Sequence, residues 1–179
     1  MPSIPGFRCV SDAVFETESD PVSVDEAQLA ALIDAARAAP QGRARLLLHP
    51  DRSDGLHEMV IALPPTSCDR PHINCKSGKS FVALSGRFAV MCFSDDGATA
   101  TPIVLSAPTL PGSRMVRLRR PIWHTIIPLD GDVVFLETIS GPFAGNCFAP
   151  WFPEEKSTSY PDAAERLRKI ARHSIPVLP

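Results

Sequence analysis

The feature that most constrains the fold is a series of short apolar runs between about residues 43 and 142. The runs are rich in Val, Ile and Phe and are bounded by Gly, Pro or Asp-Gly, a pattern that indicates β-strands. Eight strands are predicted, at residues 44–49, 58–63, 79–84, 87–93, 101–105, 115–118, 122–127 and 132–139. Asp96-Gly97 and Asp130-Gly131 each lie between two runs and predict hairpins. Short strands at this spacing favour a sandwich or barrel.

One amphipathic segment lies on each side of the strands. Before them, Ser23 and Glu26 fit a capping box for a helix over residues 24–39, which ends at Pro40. After them, a second helix is predicted at about residues 162–172. The predicted inward faces consist of Leu29, Leu32, Ile33 and Ala36 in the first helix and Ala163, Leu167, Ile170 and Ala171 in the second.

The 179 residues suggest one structural domain with three parts. Residues 1–42 comprise a polar, irregular arm expected on the surface and the first helix. Residues 43–155 form the β-barrel, and residues 156–179 form the second helix and a tail. The predicted fold class is therefore all-β, with a flanking helix at each end.

Composition excludes several classes of partner. The net charge is −2, from 18 Lys and Arg against 20 Asp and Glu, whereas a nucleic-acid or anionic-membrane binder normally carries a basic excess. No apolar run approaches the roughly 18 residues needed to cross a bilayer, and residues 1–8 do not resemble a secretory signal. We therefore expect a cytoplasmic protein that binds neither nucleic acid nor membrane. Five cysteines without a CxxC pair favour reduced thiols.

One group of polar residues stands out as a candidate site. His72 and Asn74 are two positions apart, so in a strand both side chains point to one face. Lys79 begins the next strand and can point to the same cavity. His124 begins a strand far along the chain. These four residues are the predicted ligand-binding pocket, and no catalytic residue is assigned.

The spacing of these residues resembles the first cupin motif, His-x-His, four residues, Glu, six residues, Gly, which is followed by a second motif with one more histidine. Here the positions are His72, Asn74, Lys79 and Gly86, with His124 in the second motif. The chain also resembles the small WbuC-type cupin-fold metalloproteins over residues 43–49, 93–97, 122–125, 137–143 and 148–155. The resemblance implies a double-stranded β-helix (jelly roll) with an open-ended cavity, usually in a homodimer. Such proteins are often encoded near surface-polysaccharide genes.

The resemblance also implies a metal site, which this sequence alters. In the family, three histidines and a glutamate hold a divalent metal, a donor set suited to Zn, Ni, Fe or Mn. Here His72, Asn74 and His124 could still capture such a cofactor. Asn74 offers only a neutral amide oxygen, however, and the protonated Lys79 has no lone pair to donate. The metal site is therefore expected to be degenerate.

Lys79 has two opposing interpretations. It could replace the metal as a fixed positive charge that attracts a carboxylate, phosphate or uronate, with His72, Asn74 and His124 supplying hydrogen bonds. It could also extend out of the barrel mouth into water. Either His57 or Glu58 could face the cavity. Arg45 and His49 could line it too, although a structural role, such as a pairing with Glu137, is favoured for them.

Three functions follow from these observations. The first is a cupin-fold module that binds a small polar or anionic, sugar-related ligand. The second is a metal-dependent enzyme of the isomerase, epimerase or dioxygenase type, acting in polysaccharide or sugar metabolism. The third is a structural or regulatory protein whose surface contacts a partner. The sequence favours the first.

Overall fold

The computed structural model describes residues 3–75 and 78–173 and consists of two facing β-sheets with one helix on the outer side of each. Its elements in chain order are β1 (Phe7–Ser11), β2 (Val14–Thr17), α1 (Glu26–Ala38), β3 (Ala44–Leu47), β4 (Leu56–Leu63), β5 (His72–Asn74), β6 (Lys79–Ser85), β7 (Arg87–Phe93), β8 (Ala100–Ser106), β9 (Met115–Leu118), β10 (Trp123–Pro128), β11 (Val133–Ser140), β12 (Asn146–Phe148) and α2 (Tyr160–His173). All eight predicted strands are present, with ends shifted by at most two residues.

The strands divide into a seven-stranded sheet, in the order β1-β2-β3-β4-β11-β6-β9, and a five-stranded sheet, in the order β12-β5-β10-β7-β8. Neighbouring strands are antiparallel, apart from the parallel pair β2–β3. The predicted hairpin at Asp96-Gly97 is confirmed, because it joins the antiparallel neighbours β7 and β8. The hairpin predicted at Asp130-Gly131 is wrong. This turn carries the chain from β10 in one sheet to β11 in the other, where β4 and β6 are the pairing partners.

Because side chains alternate in direction along the strands, the buried residues form three layers of core. In β4, Met59 and Ile61 point between the sheets, whereas Val60 and Ala62 point outwards to α1. Between the sheets, the rings of Phe81 and Phe88 lie 5.9 and 5.1 Å from that of Phe135, centroid to centroid. The outer face of the five-stranded sheet is covered by α2.

Residues 3–22, the described part of the predicted arm, are not irregular as we expected. In the described part of this segment, β1 and β2 form a hairpin that extends the large sheet next to β3. Phe15 is completely buried, in the same cluster as Leu32 of α1. The alternation in β2 covers only four residues, which is too short to stand out from a polar segment, and the burial of Phe15 is what fixes the hairpin.

The first helix is confirmed, but its capping residues differ from the predicted pair. Asp25 is the N-cap, and its side chain accepts a hydrogen bond from the Gln28 backbone N–H while the Gln28 side chain accepts one from the Asp25 N–H. The capping box is therefore shifted by two residues from Ser23 and Glu26. The fully buried face is Leu32, Ala35 and Ala36, with Leu29 and Ile33 at its edge.

This shift gives a prediction with a matched control. Replacing Asp25 with alanine should lower the free energy of unfolding by about 1 kcal/mol, because the Gln28 N–H loses its acceptor. Replacing Ser23 with alanine should change it by less than about 0.5 kcal/mol, as is usual at exposed sites. Urea denaturation of both variants tests this. An equal loss in the two would contradict the assignment of Asp25 as the cap.

The second helix is also confirmed, and one of its predicted inward residues is wrong. Ala164, Leu167 and Ala171 are buried against the five-stranded sheet, and Ala163 packs at the edge of that cluster. Ile170 is 42% exposed instead. The stripe that contacts the sheet is narrow, so a residue one position from Ala171 already lies outside it. Neither helix in the described ranges has the length and apolarity to span a membrane.

The expectation of fully reduced cysteines is wrong for one pair. Cys75 and Cys147 form a disulfide, whereas Cys9, Cys68 and Cys92 are free. The antiparallel pairing of β5 with β12 brings the two Cα atoms to 6.5 Å, within the range that a disulfide spans. The two residues are 72 positions apart, so only strand pairing makes them neighbours.

Candidate ligand-binding site

A cavity of about 470 Å³ lies between the two sheets. Strands β3, β4, β6 and β11 of the large sheet supply ten of its 23 lining residues, because their inward residues share one face. Four of the chain's five histidines line it, namely His49, His57, His72 and His124. The fifth, His173, is exposed at the end of α2. The histidines are therefore concentrated in one place.

His72 and His124 come together across the ladder between β5 and β10, where they are directly opposite each other. Their ring centroids are 4.7 Å apart. In each ring Nδ1 lies within hydrogen-bond distance of the carbonyl two residues earlier, Arg70 O at 3.0 Å and Ile122 O at 2.7 Å. Because a carbonyl can only accept, Nδ1 donates and Nε2 carries the lone pair.

The two imidazoles are held neutral by their surroundings. Burial, and next the positive charge of Lys79, lower the pKa of His72 and place that of His124 well below its usual value. His124 is only 2% exposed, and among the described residues its Nε2 has no hydrogen-bond partner. A buried acceptor without a donor is costly, so this atom is suited to receive a hydrogen bond from a ligand.

Lys79 lies inside the cavity wall and does not extend into water. It is 4% exposed, and its Nζ is 3.4 Å from one carboxylate oxygen of Glu137 and 3.5 Å from the other. The strands β6 and β11 are paired, which places the two residues on one face of the sheet. The alternative in which Lys79 leaves the barrel mouth is therefore wrong. Its ammonium is an internal cation balanced by a carboxylate.

Arg45 supplies a second positive charge to the cavity. It lies on β3 opposite Ile61, and both line the cavity. The neighbouring Arg43 pairs with Asp69, but no carboxylate of the described chain lies within 4.0 Å of the Arg45 guanidinium. Burial, followed by repulsion from Arg43, lowers the pKa of Arg45. The direct ion pair between Arg45 and Glu137 is not formed, although the charges of Glu137 and Asp69 act on Arg45 from farther away.

The other two histidines form a parallel stack next to this group. The rings of His49 and His57 have centroids 4.0 Å apart and planes 8° apart, and His49 Nδ1 is 3.1 Å from the carbonyl of Glu58. The question left open by the sequence is resolved, because His57 lines the cavity and Glu58 does not. A Cβ at Gly141 would lie 2.8 Å from His57 Nε2, so glycine lets the chain close over the ring.

Asn74 is the one predicted pocket residue outside the cavity lining. It is buried at the end of β5, and Asn146, its partner on β12, lines the cavity instead. Strand β5 has only three residues, so the wall passes to β12 beyond His72. Asn146 Oδ1 is buried and lacks a hydrogen-bond partner within the described ranges. Phe143, half exposed, completes this side of the lining.

The residues present do not fit a divalent metal. His72 and His124 offer two nitrogen donors, Asn74 is not among the cavity-lining residues, and Glu137 is engaged by the ammonium of Lys79. Within residues 3–75 and 78–173, no three His, Cys, Asp or Glu side chains form a group that could hold an ion. A site with two donors beside a fixed ammonium lacks the three or four ligands that transition metals require.

Comparison with solved structures identifies the architecture. An oxalate oxidase in complex with the substrate analogue glycolate matches at 17% identity and a TM-score of 0.51, covering 73% of this chain and 68% of its own. A second oxalate oxidase structure matches equally well. The chain has the cupin fold. At this identity the match concerns the fold alone.

A family model and a further solved structure also match this cupin-fold chain. A family model described as a domain of unknown function, DUF6016, matches residues 24–105. A structure of Bacillus subtilis oxalate decarboxylase, from work on its Mn(II) centres, matches at 15% identity and a TM-score of 0.46, covering 62% of this chain and 31% of its own. No curated protein gives a significant match.

Proposed function

We propose that this cupin-fold protein binds a small anionic, sugar-related molecule in the cavity between its sheets, with Arg45 as the anchor for the negative charge. The observation that carries the proposal is the guanidinium of Arg45, which points into a cavity without a carboxylate partner in the described chain. Lys79 is balanced by Glu137 and Arg43 by Asp69, whereas Arg45 and the exposed Arg52 line the cavity without an ion pair to the described residues. Arg45 is the buried one of these two, so its charge is available to a ligand. Arginine presents a planar fork that matches carboxylate and phosphate oxygens.

The neutral imidazoles indicate what the rest of the ligand carries. His57 Nε2, His124 Nε2 and Asn146 Oδ1 are buried cavity atoms for which the described residues supply no partner. His124 Nε2 and Asn146 Oδ1 can only accept hydrogen bonds, and hydroxyl groups are the donors that would satisfy them. A ligand with an anionic end and several hydroxyls matches this distribution. Uronates and sugar phosphates have that composition.

The size of the cavity agrees with this ligand class. Small-molecule sites commonly enclose about 300–1,000 Å³, and this cavity has about 470 Å³. Apolar side chains such as Met59, Ile61 and Ile139 complete the wall and can pack against carbon atoms of a sugar. The metal-dependent enzyme remains a less favoured hypothesis, because the donor set does not provide three metal ligands. No specific observation favours a purely structural role.

Isothermal titration calorimetry can test the role of Arg45. We expect D-glucuronate or D-glucose 6-phosphate to bind more tightly than glucose, and Arg45→Gln to weaken anion binding by about 10- to 100-fold, the effect of losing a charged hydrogen bond. Arg166→Gln, an exposed change on α2, is the control and should leave binding unchanged. Equal affinities of the anions and glucose, or unchanged anion binding in Arg45→Gln, would contradict the proposal.

A further inference from the structure

Three polar side chains are placed around the cavity in an arrangement that exceeds what binding requires. His72 and His124 present fixed, unprotonated Nε2 atoms, because Nδ1 of each is committed to a carbonyl. Lys79 lies in the wall of the same cavity. Glu137 contacts the Lys79 ammonium, so the positive charge is compensated and fixed in place. A neutral base and a fixed cation therefore face one ligand space.

We propose that the cavity catalyses metal-independent proton transfer at a carbon next to a carbonyl group of its anionic ligand, with His124 as the base and Lys79 as the cation that stabilises the enolate. This inference rests on the proposed function, since Arg45 must hold the anionic end of the ligand. It extends that function from binding to an acid–base reaction. The class of substrate is an anion that also carries a ketone or aldehyde, including the open-chain form of a uronate or sugar phosphate.

The step balances without an oxidant or cofactor. Nε2 of His124 takes the proton from the carbon, the C–H electron pair forms the carbon–carbon double bond, and the carbonyl π pair moves to oxygen. The resulting enolate oxygen is stabilised by the ammonium of Lys79. Return of the proton from the imidazolium to the same carbon restores the substrate or inverts its configuration. Return to the neighbouring carbon, followed by hydroxyl-proton transfer, moves the carbonyl group.

The geometry explains why each residue is suited to its role. His124 is 2% exposed, its Nδ1 donates to the carbonyl of Ile122, and the lone pair of its Nε2 is unused by the described residues, so Nε2 is the atom that can take a proton. Lys79 is 4% exposed, so its charge lies away from water. Electrostatic stabilisation is stronger in such a buried site than in water. The ring of His72 lies beside that of His124, with the two centroids 4.7 Å apart, and its unprotonated Nε2 is a second proton acceptor in the cavity wall.

The test is hydrogen–deuterium exchange at carbon, followed by proton NMR in D₂O with 1 mM EDTA. The probes are D-glucuronate, D-glucose 6-phosphate and 2-oxobutyrate, and the binding of each is measured in parallel by calorimetry. We expect the α-proton signal of a bound probe to disappear at least 100-fold faster than in buffer. This factor is the lower end of the rate enhancement that a positioned base usually gives. His124→Gln should reduce the exchange rate at least 100-fold, and Lys79→Met should reduce it at least 10-fold. His173→Gln, on the exposed end of α2, should have no effect.

The outcomes separate this inference from the proposed function. A probe that binds with Arg45 dependence but exchanges no faster than in buffer overturns the inference and leaves the binding function intact. If no probe binds, both fail. Exchange that appears only after a divalent metal is added also overturns the inference. Thermal melts show whether each variant is folded, and if His124→Gln is not, the wild-type rate and Lys79→Met decide the result.

Discussion

Replacing Glu137 with leucine is expected to lower the free energy of unfolding by about 3–5 kcal/mol, a large effect for a single residue. The change leaves the Lys79 ammonium inside the protein without its carboxylate, and a buried charge without a partner is strongly destabilising. The side chains of Lys79 and Glu137 are only 5% and 13% exposed, so water cannot replace the lost partner. Guanidinium denaturation of the purified variant at pH 7.5 measures the change.

The double variant is the matched control for this prediction. Replacing Lys79 with methionine and Glu137 with leucine removes both charges and should restore stability to within about 1 kcal/mol of the wild type or above it, since an ion pair and well-packed apolar residues are often equivalent. The same double variant should lose the proton-transfer activity. If it is as unstable as Glu137→Leu, the loss comes from packing around Glu137 and not from an unpaired charge.

Acidification is expected to destabilise the protein from about pH 6.5 downwards. The unfolded chain takes up a proton on each imidazole near pH 6.5, whereas His72 and His124 have lowered pKa values in the folded state and remain neutral. The unfolded state then binds more protons, so stability is full above pH 6.5 and falls as the pH decreases towards the folded pKa values. Each histidine contributes at most about 1.4 kcal/mol per pH unit, or about 3 kcal/mol per pH unit for these two. His49, whose pKa burial also lowers, adds to the dependence with the same sign.

Urea denaturation at pH 8.0, 7.0, 6.0 and 5.5, with EDTA present, measures this dependence. The variant His124→Gln should reduce the slope below pH 6.5 by up to about one third, because one of the three histidines with a lowered pKa, His49, His72 and His124, no longer titrates. His173→Gln serves as the exposed control and should keep the wild-type slope. A stability that is constant between pH 8.0 and 5.5 would show that the imidazoles do not remain neutral in the folded protein. Carboxylates with lowered pKa values, such as Asp51 and Asp96, act at more acidic pH and do not interfere.

The long strands were predictable because their pattern is local. In an eight-residue strand such as β11, the side chains alternate between the two faces of the sheet. Gly, Pro and Asp-Gly mark the ends of such runs, so each strand can be recognised without knowing its neighbours. The short strands lack this information. The four residues of β2 were missed, as were the three residues of β12, and both are held in place by contacts with distant strands.

The candidate site was predictable only in part. Motif spacing drew attention to His72, Lys79 and His124, which the structure brings to one cavity. Asn74 was included because alternate residues share a face, but it is the last residue of β5, and its partner on β12, Asn146, lines the cavity instead. Arg45 and the stack of His49 on His57 received no functional role from the sequence, since nothing local distinguishes a cavity arginine from one that is paired.

The sequence by itself determined the two helices and the eight longer strands between residues 44 and 140, because those choices depend on neighbours a few residues away. It also determined the excess of β-structure and the absence of a basic character suited to nucleic acid. Only the tertiary structure decided which sheet each strand joins, which cysteines meet and which cation has no carboxylate beside it. These properties depend on contacts between residues such as Lys79 and Glu137, 58 positions apart, and such contacts form only when the two sheets are assembled.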